Sequence, residues 1–358
     1  MKEALKRHSN FELLRMLCML FIVCHHMIVH ALPTHSEFGI ALGTEWYGLQ
    51  LLNCLCYVAV NLFILISGYF GINIKFRGFI RLYIMLAFYG FVLYHLHLYS
   101  IGSHVNRWSV YNTIFPITNS PGWWFIKSYF VLYLLSPILN SAIAMLSKAK
   151  YKLSLLLFSI VILYYGFYRE MEFGNAGYSL SNFVYLYFIG GYLKRYVSAT
   201  PWLRIPSLSV YLAGTILLWV LTIFAAKNTT TSVWFSTVQY NHPVLVVSSV
   251  AFFLFFTTLR FSSKVINFIA PSSLAVYLLH ENVYFNSRIY SYIGDSYFAT
   301  NYGGGRVLIL FAIIIGIWSI GYAIDIIRRG LTYPIEKWSV RIYDKHIKNL
   351  SSSCLSRR

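Results

Sequence analysis

The chain has 358 residues, of which 58% are hydrophobic, 19% aromatic and only 11% charged. A soluble domain needs roughly 25% charged residues to cover its surface, so a water-soluble fold is excluded and an all-α polytopic membrane protein is expected. The formal net charge of +18 is read as basic cytoplasmic loops rather than a nucleic-acid surface, and no nucleic-acid partner is expected.

Runs of about 20 apolar residues, the length that crosses a bilayer core, predict about ten transmembrane helices. They fall near 11–32, 47–71, 79–100, 123–146, 151–168, 178–193, 207–226, 242–261, 265–285 and 306–327. One set of loops and the two ends carry 22 Lys and Arg, from Lys2, Lys6 and Arg7 through to the tail after Ile327. The opposite set carries five: Arg107, Arg169, Lys227, Arg288 and Arg306. The bias predicts that both termini are cytoplasmic. Residues 1–327 are read as one membrane-embedded domain and 328–358 as a basic cytoplasmic tail, in which "RRGLTYPIEKWSVRIYDKHIKNL" has the pattern of an amphipathic surface helix. The first span resembles a signal peptide, but "HAL" before Pro33 is a weak cleavage site, so the span is taken as retained. The five cysteines form neither a disulfide framework nor a zinc pattern.

The first span is the unusual one. "RMLCMLFIVCHHMIVH" (15–30) carries Arg15, His25 and His26, and ionisable groups inside an apolar span usually mark a pathway or a site. At 100° per residue the eleven steps from Arg15 to His26 return to within ~20° of one face, about 16 Å further along the axis. Glu12 lies near that face, and His25 points away from it. The plainer alternative is that Arg15 snorkels to the interface and both histidines bond neighbouring helices.

In the second span Asn61, Ser67 and Gly68 either line a passage or permit close helix packing. Next to it Lys75, Arg77 and Arg81 cluster with Arg15 at the predicted cytoplasmic surface, where phosphate is a natural partner; ordinary positive-inside charge is the alternative, favoured for Lys75. His95 and His97 end the third span, and Lys127 sits just inside the outer end of the fourth. Trp123 and Trp124 either stack on sugars or belong to the interfacial aromatic belt, the belt being favoured for Trp123. His280, Glu281 and Asn282 end the ninth. His26 and His30 have the i, i+4 spacing of helical metal ligands. However, "HENVY" lacks the second histidine of a zinc-protease motif, and no metal is expected.

"NFELLRMLCMLFIVCHHMIVH" resembles the first helix of acyltransferase family 3, integral membrane enzymes that transfer acyl groups, commonly acetyl, to cell-surface glycans. The family marker is an arginine and a histidine separated by ten residues, with an acidic residue three before the arginine. Arg15, His26 and Glu12 fit it. "NLFILISGYFGI", "GWWFIKSYFVLYLLSPILN" and "SLAVYLLHENVYF" resemble later family segments in the same order, and the whole is most similar to capsule and surface-polysaccharide O-acetyltransferases. One departure is that the family's two arginines separated by two residues are here Arg77 and Arg81, separated by three.

The resemblance implies a multi-pass protein of the bacterial cytoplasmic membrane that takes acetyl-coenzyme A, or another acyl-coenzyme A, as co-substrate. The acceptor is a polysaccharide or its lipid-linked precursor, met among membrane lipids; nothing in the helices sets an oligomeric state. His26, Glu12 and Arg15 are the expected catalytic group, with Arg15 holding the phosphate-bearing head of the donor. Arg77, Arg81, Lys127, Trp124, His280, Glu281 and Asn282 are expected to bind substrates, and Lys127 or Asn282 to stabilise an oxyanion. His26 acts either as a general base or through an acyl-histidine. A polysaccharide polymerase or flippase, and a proton-relaying transporter, are the alternatives.

Overall fold

A computed structural model describes residues 8–32, 43–105, 123–228, 239–299 and 303–355, together with Arg107 and Tyr111. The basic residues Lys2, Lys6, Arg7, Arg357 and Arg358, and Pro33, lie outside them. All regular structure among the described residues is helical. Helices α1 (Ser9–His26), α2 (Thr44–Cys56), α3 (Ala59–Phe70), α4 (Phe76–Ser100), α5 (Trp124–Met145), α6 (Lys148–Ser159) and α7 (Leu180–Tyr196) form the first part. They are followed by α8 (Arg204–Asn228), α9 (Pro243–Thr257), α10 (Lys264–Ile269), α11 (Ser273–His280), α12 (Asn286–Ala299) and α13 (Gly303–Leu355).

Seven helical segments are long and apolar enough to cross a membrane: Ser9–Ala31, Thr44–Phe70, Phe76–Ser100, Trp124–Met145, Lys148–Tyr168, Pro201–Lys227 and Gly305–Lys345. The chain is a polytopic membrane protein. The other three expected spans are shorter. α7 has 17 residues and α9 has 15. The ninth is broken into α10, a 3-10 turn at Ala270–Ser272 and α11, because Pro271 has no N–H for a continuous ladder. The second is interrupted at Tyr57–Val58. After Ile327 the chain is helical, as its pattern predicts, but it continues the last span without a break. α13 runs for 53 residues and includes Pro334, a length of ~80 Å. The stretch between the ninth and tenth spans was expected to be a loop and contains α12.

The Ser9–Ala31 and Thr44–Phe70 segments are mostly buried, whereas the other five long segments are mostly exposed. The first helix is therefore central. It packs on α2, α3, α9, α11 and α13, so its polar residues meet protein rather than lipid. Exposed apolar side chains such as Leu134, Ile138, Leu156, Ile216 and Ile315 suit the hydrocarbon around the bundle. The tightest helix pair is α3 against α7. A Cβ on Gly68 would lie 2.1 Å from the Tyr187 carbonyl oxygen, and one on Gly190 would lie 2.5 Å from that of Leu65. Gly68 is thus a packing residue, and close approach of this kind is how helices associate where no hydrophobic drive exists between them.

Candidate active site

The apolar run of α1 ends at His26, and the next turn, Met27–Ala31, is π-helical, a local widening frequent at functional sites. His25 and His26 are both buried but face different neighbours. His25 Nδ1 lies 2.7 Å from Asn53 Oδ1 in α2, and the Asn53 amide in turn donates to Tyr57 Oη at 3.2 Å. His26 faces α11. Its Nδ1 lies 2.9 Å from His280 Nε2 and 3.1 Å from Glu281 Oε1.

The hydrogen bonds assign the protons. His280 Nδ1 lies 2.6 Å from the Val276 carbonyl oxygen, which only accepts, so that nitrogen carries a hydrogen. In the neutral ring His280 Nε2 is then an acceptor. Glu281 as a carboxylate also accepts, receiving the Tyr290 hydroxyl as well. The proton of His26 therefore sits on Nδ1, facing two acceptors, and its Nε2 keeps a lone pair. A carboxylate behind a histidine with the opposite nitrogen free is the arrangement of an oriented general base.

His26, His280 and Glu281 also offer three metal-ligating atoms within 4.8 Å of one another. Two nitrogens on one tetrahedral zinc at ~2.05 Å would stand roughly 3.3 Å apart. The 2.9 Å between His26 and His280 is a hydrogen-bond distance, and the proton assignment uses every close contact without an ion.

Two cavities run along α1. Glu12 and Arg15 line one of about 320 Å³ with Ser67, Tyr129 and the Pro271 turn. His26 lines a narrow one of about 20 Å³, room for about one water molecule, with Trp124, Tyr240 and Tyr277. Both are walled by Phe63, Phe125 and Leu274, so they adjoin. Arg15 Nη1 donates to Glu12 Oε1 at 2.8 Å, and the arginine side chain is 32% exposed. Ser67 borders the wider cavity, and its hydroxyl donates to the Phe63 carbonyl at 2.9 Å. Asn61 donates to the Tyr240 carbonyl at 2.9 Å, tying α3 to the segment before α9.

The remaining expected residues divide. His280 and Glu281 join His26. Trp124 borders the same narrow cavity, half-buried, with its ring stacked 5.7 Å from Tyr240. Trp123 is buried, which removes it from an interfacial belt. Lys127 is exposed and borders neither cavity. Asn282 is buried, and its Oδ1 accepts from the Tyr284 amide at 3.1 Å, fastening the turn after α11. Arg77 is exposed. Arg81 pairs with Glu336 at 2.9 Å and lines a separate cavity of about 680 Å³ with Arg328, Arg329 and Pro271. That cavity meets the Arg15 cavity at Pro271. Arg328 is buried and held by Asp325 at 2.6 Å.

Four residues that sequence reasoning did not place at the site belong to it or support it. Tyr290 bonds Glu281, Asn53 bonds His25, and Arg328 borders the basic cavity. Tyr277 borders the His26 cavity, with its hydroxyl buried beside the backbone of Phe125. Asn53 was detectable as a polar residue inside an apolar run, and Asp325–Arg328 as an i, i+3 pair. The two tyrosines carry no signal in a chain with 30 of them.

A family model described as an acyltransferase domain matches residues 8–325, nearly the whole chain. Comparison with curated proteins and with solved structures finds no match.

Proposed function

The chain belongs to acyltransferase family 3, and from that premise we propose that it moves an acyl group, acetyl foremost, from acyl-coenzyme A to a sugar hydroxyl. The acceptor is a capsular or other cell-surface polysaccharide, or its lipid-linked precursor, and the protein works in the bacterial cytoplasmic membrane. The observation that carries this reading is the pair of adjoining cavities on α1, with Arg15 on one and the oriented His26 on the other.

In this reading the arginine end faces the cytoplasm, where acyl-coenzyme A is made. Arg15, with Arg81, Arg328 and Arg329 beyond Pro271, supplies guanidinium groups suited to the phosphates of the donor head. The thin acyl-bearing arm lies along the two cavities, and Phe63 and Phe125 must swing aside at the narrow part. His26 Nε2 takes the proton of the acceptor hydroxyl. The oxygen attacks the thioester carbonyl, and the tetrahedral adduct collapses with loss of the coenzyme A thiolate, which recovers the proton from His26. Glu281 and His280 hold the ring and offset the imidazolium charge. The Tyr277 hydroxyl is the donor for the developing oxyanion, where such a bond acts most strongly in a dry site. Lys127, expected for that task, is exposed instead.

The test is purified protein in detergent with acetyl-labelled coenzyme A. Label transfer to glycan, or slow thioester hydrolysis without it, is the expected result. A protein that neither cleaves the donor nor binds coenzyme A would be a polymerase, flippase or transporter instead. A donor-dependent mass increase on His26 would assign the acyl-histidine route.

A further inference from the structure

On the far side of His26 from Arg15 lies another cavity, of about 590 Å³, between α12 and the π-helical turn Met27–Ala31. That volume is within the ~300–1,000 Å³ of small-molecule sites. Ser287, Ser291 and Asp295 border it, and their spacing of four residues sets them on one stripe of α12. Tyr290 and Phe298 flank the stripe, and His30 and Glu281 complete the opposite wall.

The wall is rigidly placed. A Cβ on Gly294 would stand 2.6 Å from the Ala31 carbonyl oxygen, so only glycine lets α12 lie this close to the π turn. One turn further along α12 the Tyr297 hydroxyl donates to the Glu45 carboxylate at 3.3 Å, which also receives Arg306 at 3.4 Å. Glu281 stands between the groove and His26, since the same carboxylate oxygen receives Tyr290 and lies 3.1 Å from His26 Nδ1, so an acceptor held in the groove must extend past Glu281 to bring its hydroxyl to Nε2. Among the described residues two carboxylates border the groove, Glu281 and Asp295, with the His30 imidazole beside them. Arg288, the cation on α12, is directed to Ser100 Oγ at 3.5 Å.

We propose that this groove is the acceptor subsite and that it selects a hydroxyl-rich sugar lacking a carboxylate. The proposal rests on the acyltransferase reading above. Serine hydroxyls and the Asp295 carboxylate bond sugar hydroxyls, and Tyr290 and Phe298 give the ring an apolar face. The two anions repel uronic or sialic acid residues, so charge decides the acceptor class before any finer recognition.

The test uses Ser291→Cys in a Cys354→Ser background with two methanethiosulfonate reagents, one bearing trimethylammonium and one sulfonate. Relative to an exposed reference, Ser103→Cys, the cationic reagent should modify Ser291→Cys at least tenfold faster than the anionic one. Asp295→Asn should remove most of that preference. Modification should block label transfer to the neutral glycan fraction of the producing cells, while thioester hydrolysis and coenzyme A binding persist. The proposal is overturned by equal reagent rates, by undiminished transfer after modification, or by label entering the acidic glycan fraction. If the unmodified protein neither cleaves nor binds the donor, the acyltransferase reading itself fails and this proposal with it. The reagent ratio still reports the charge of the groove in that case, so the two failures are told apart.

Discussion

The Nδ1 of His26 stands 3.1 Å from Oε1 of Glu281, joining a histidine of the first helix to a carboxylate from the far end of the chain. α11 ends at His280, one residue before that carboxylate, and α1 ends at His26. The two side chains are thus both at helix ends, packed against each other in the bundle interior.

The adjacent histidines should separate cleanly. His26→Ala is expected to lower transfer by ~10²–10⁴-fold, the usual cost of losing a catalytic base, with thermal stability little changed. His25→Ala should retain most activity but lower the melting temperature, because it leaves Asn53 buried with a lost partner, at a cost of about 1–3 kcal/mol. Single-turnover kinetics and thermal unfolding in detergent measure both. A dead His25 variant beside an active His26 variant would reverse the assignment.

Glu281→Gln keeps the size of the side chain and removes its charge. Transfer should fall less than in His26→Ala, since Glu281 holds and charge-balances the ring while His26 itself takes the proton, and coenzyme A binding should stay at the wild-type level. Because the trio is bonded as a proton network, incubation with a strong chelator should leave activity unchanged. Loss of activity on chelation, restored by zinc, would show instead that the three side chains ligate a metal.

Arg15 borders the wider cavity while paired with Glu12. Arg15→Ala should weaken coenzyme A binding about ten- to a hundredfold, the loss of one charge-assisted contact to phosphate. Arg15→Lys should recover part of it, because lysine keeps the charge but not the planar fork. Calorimetric titration decides. Equal affinity in wild type and Arg15→Ala, with reduced stability, would make Arg15 an anchor of the first helix.

Gly68→Ala tests the contact of α3 with α7. The new Cβ would stand 2.1 Å from a backbone carbonyl oxygen, which cannot move without shifting α7. The cost should reach or exceed the ~1–3 kcal/mol of core overpacking, read as a lower melting temperature and yield. A variant as stable as wild type would mean that the two helices separate easily.

The orientation rests on the excess of basic residues in one set of loops. A cysteine at Ser103, which is exposed, should react with an impermeant maleimide in intact cells. Reaction only after permeabilisation would invert the map and place the Arg15 end of the site outside.

Composition and the recurring apolar runs together determined that this is a polytopic helical membrane protein, because so few charged residues cannot cover a water-facing surface and runs of about 20 apolar residues have the length of membrane-crossing helices. The phase of one helix separated His26 from His25, since a 100° step between neighbours follows from helix geometry wherever the helix packs. Sequence order also put His280 and Glu281 at the end of a late helix, as expected substrate-binding residues. Only the tertiary structure decided what those candidates meet, which is His26. Helix periodicity says which face a residue occupies and nothing about which helix meets that face, so the pairing of His26 with Glu281 was not legible. The same holds for Tyr290 and Tyr277, two tyrosines among thirty, whose contacts depend on where α11 and α12 lie. Lys127 shows the converse. Topology assigned it the same leaflet as His26, but the side chain is exposed, because depth in a membrane does not fix the direction in which a residue points.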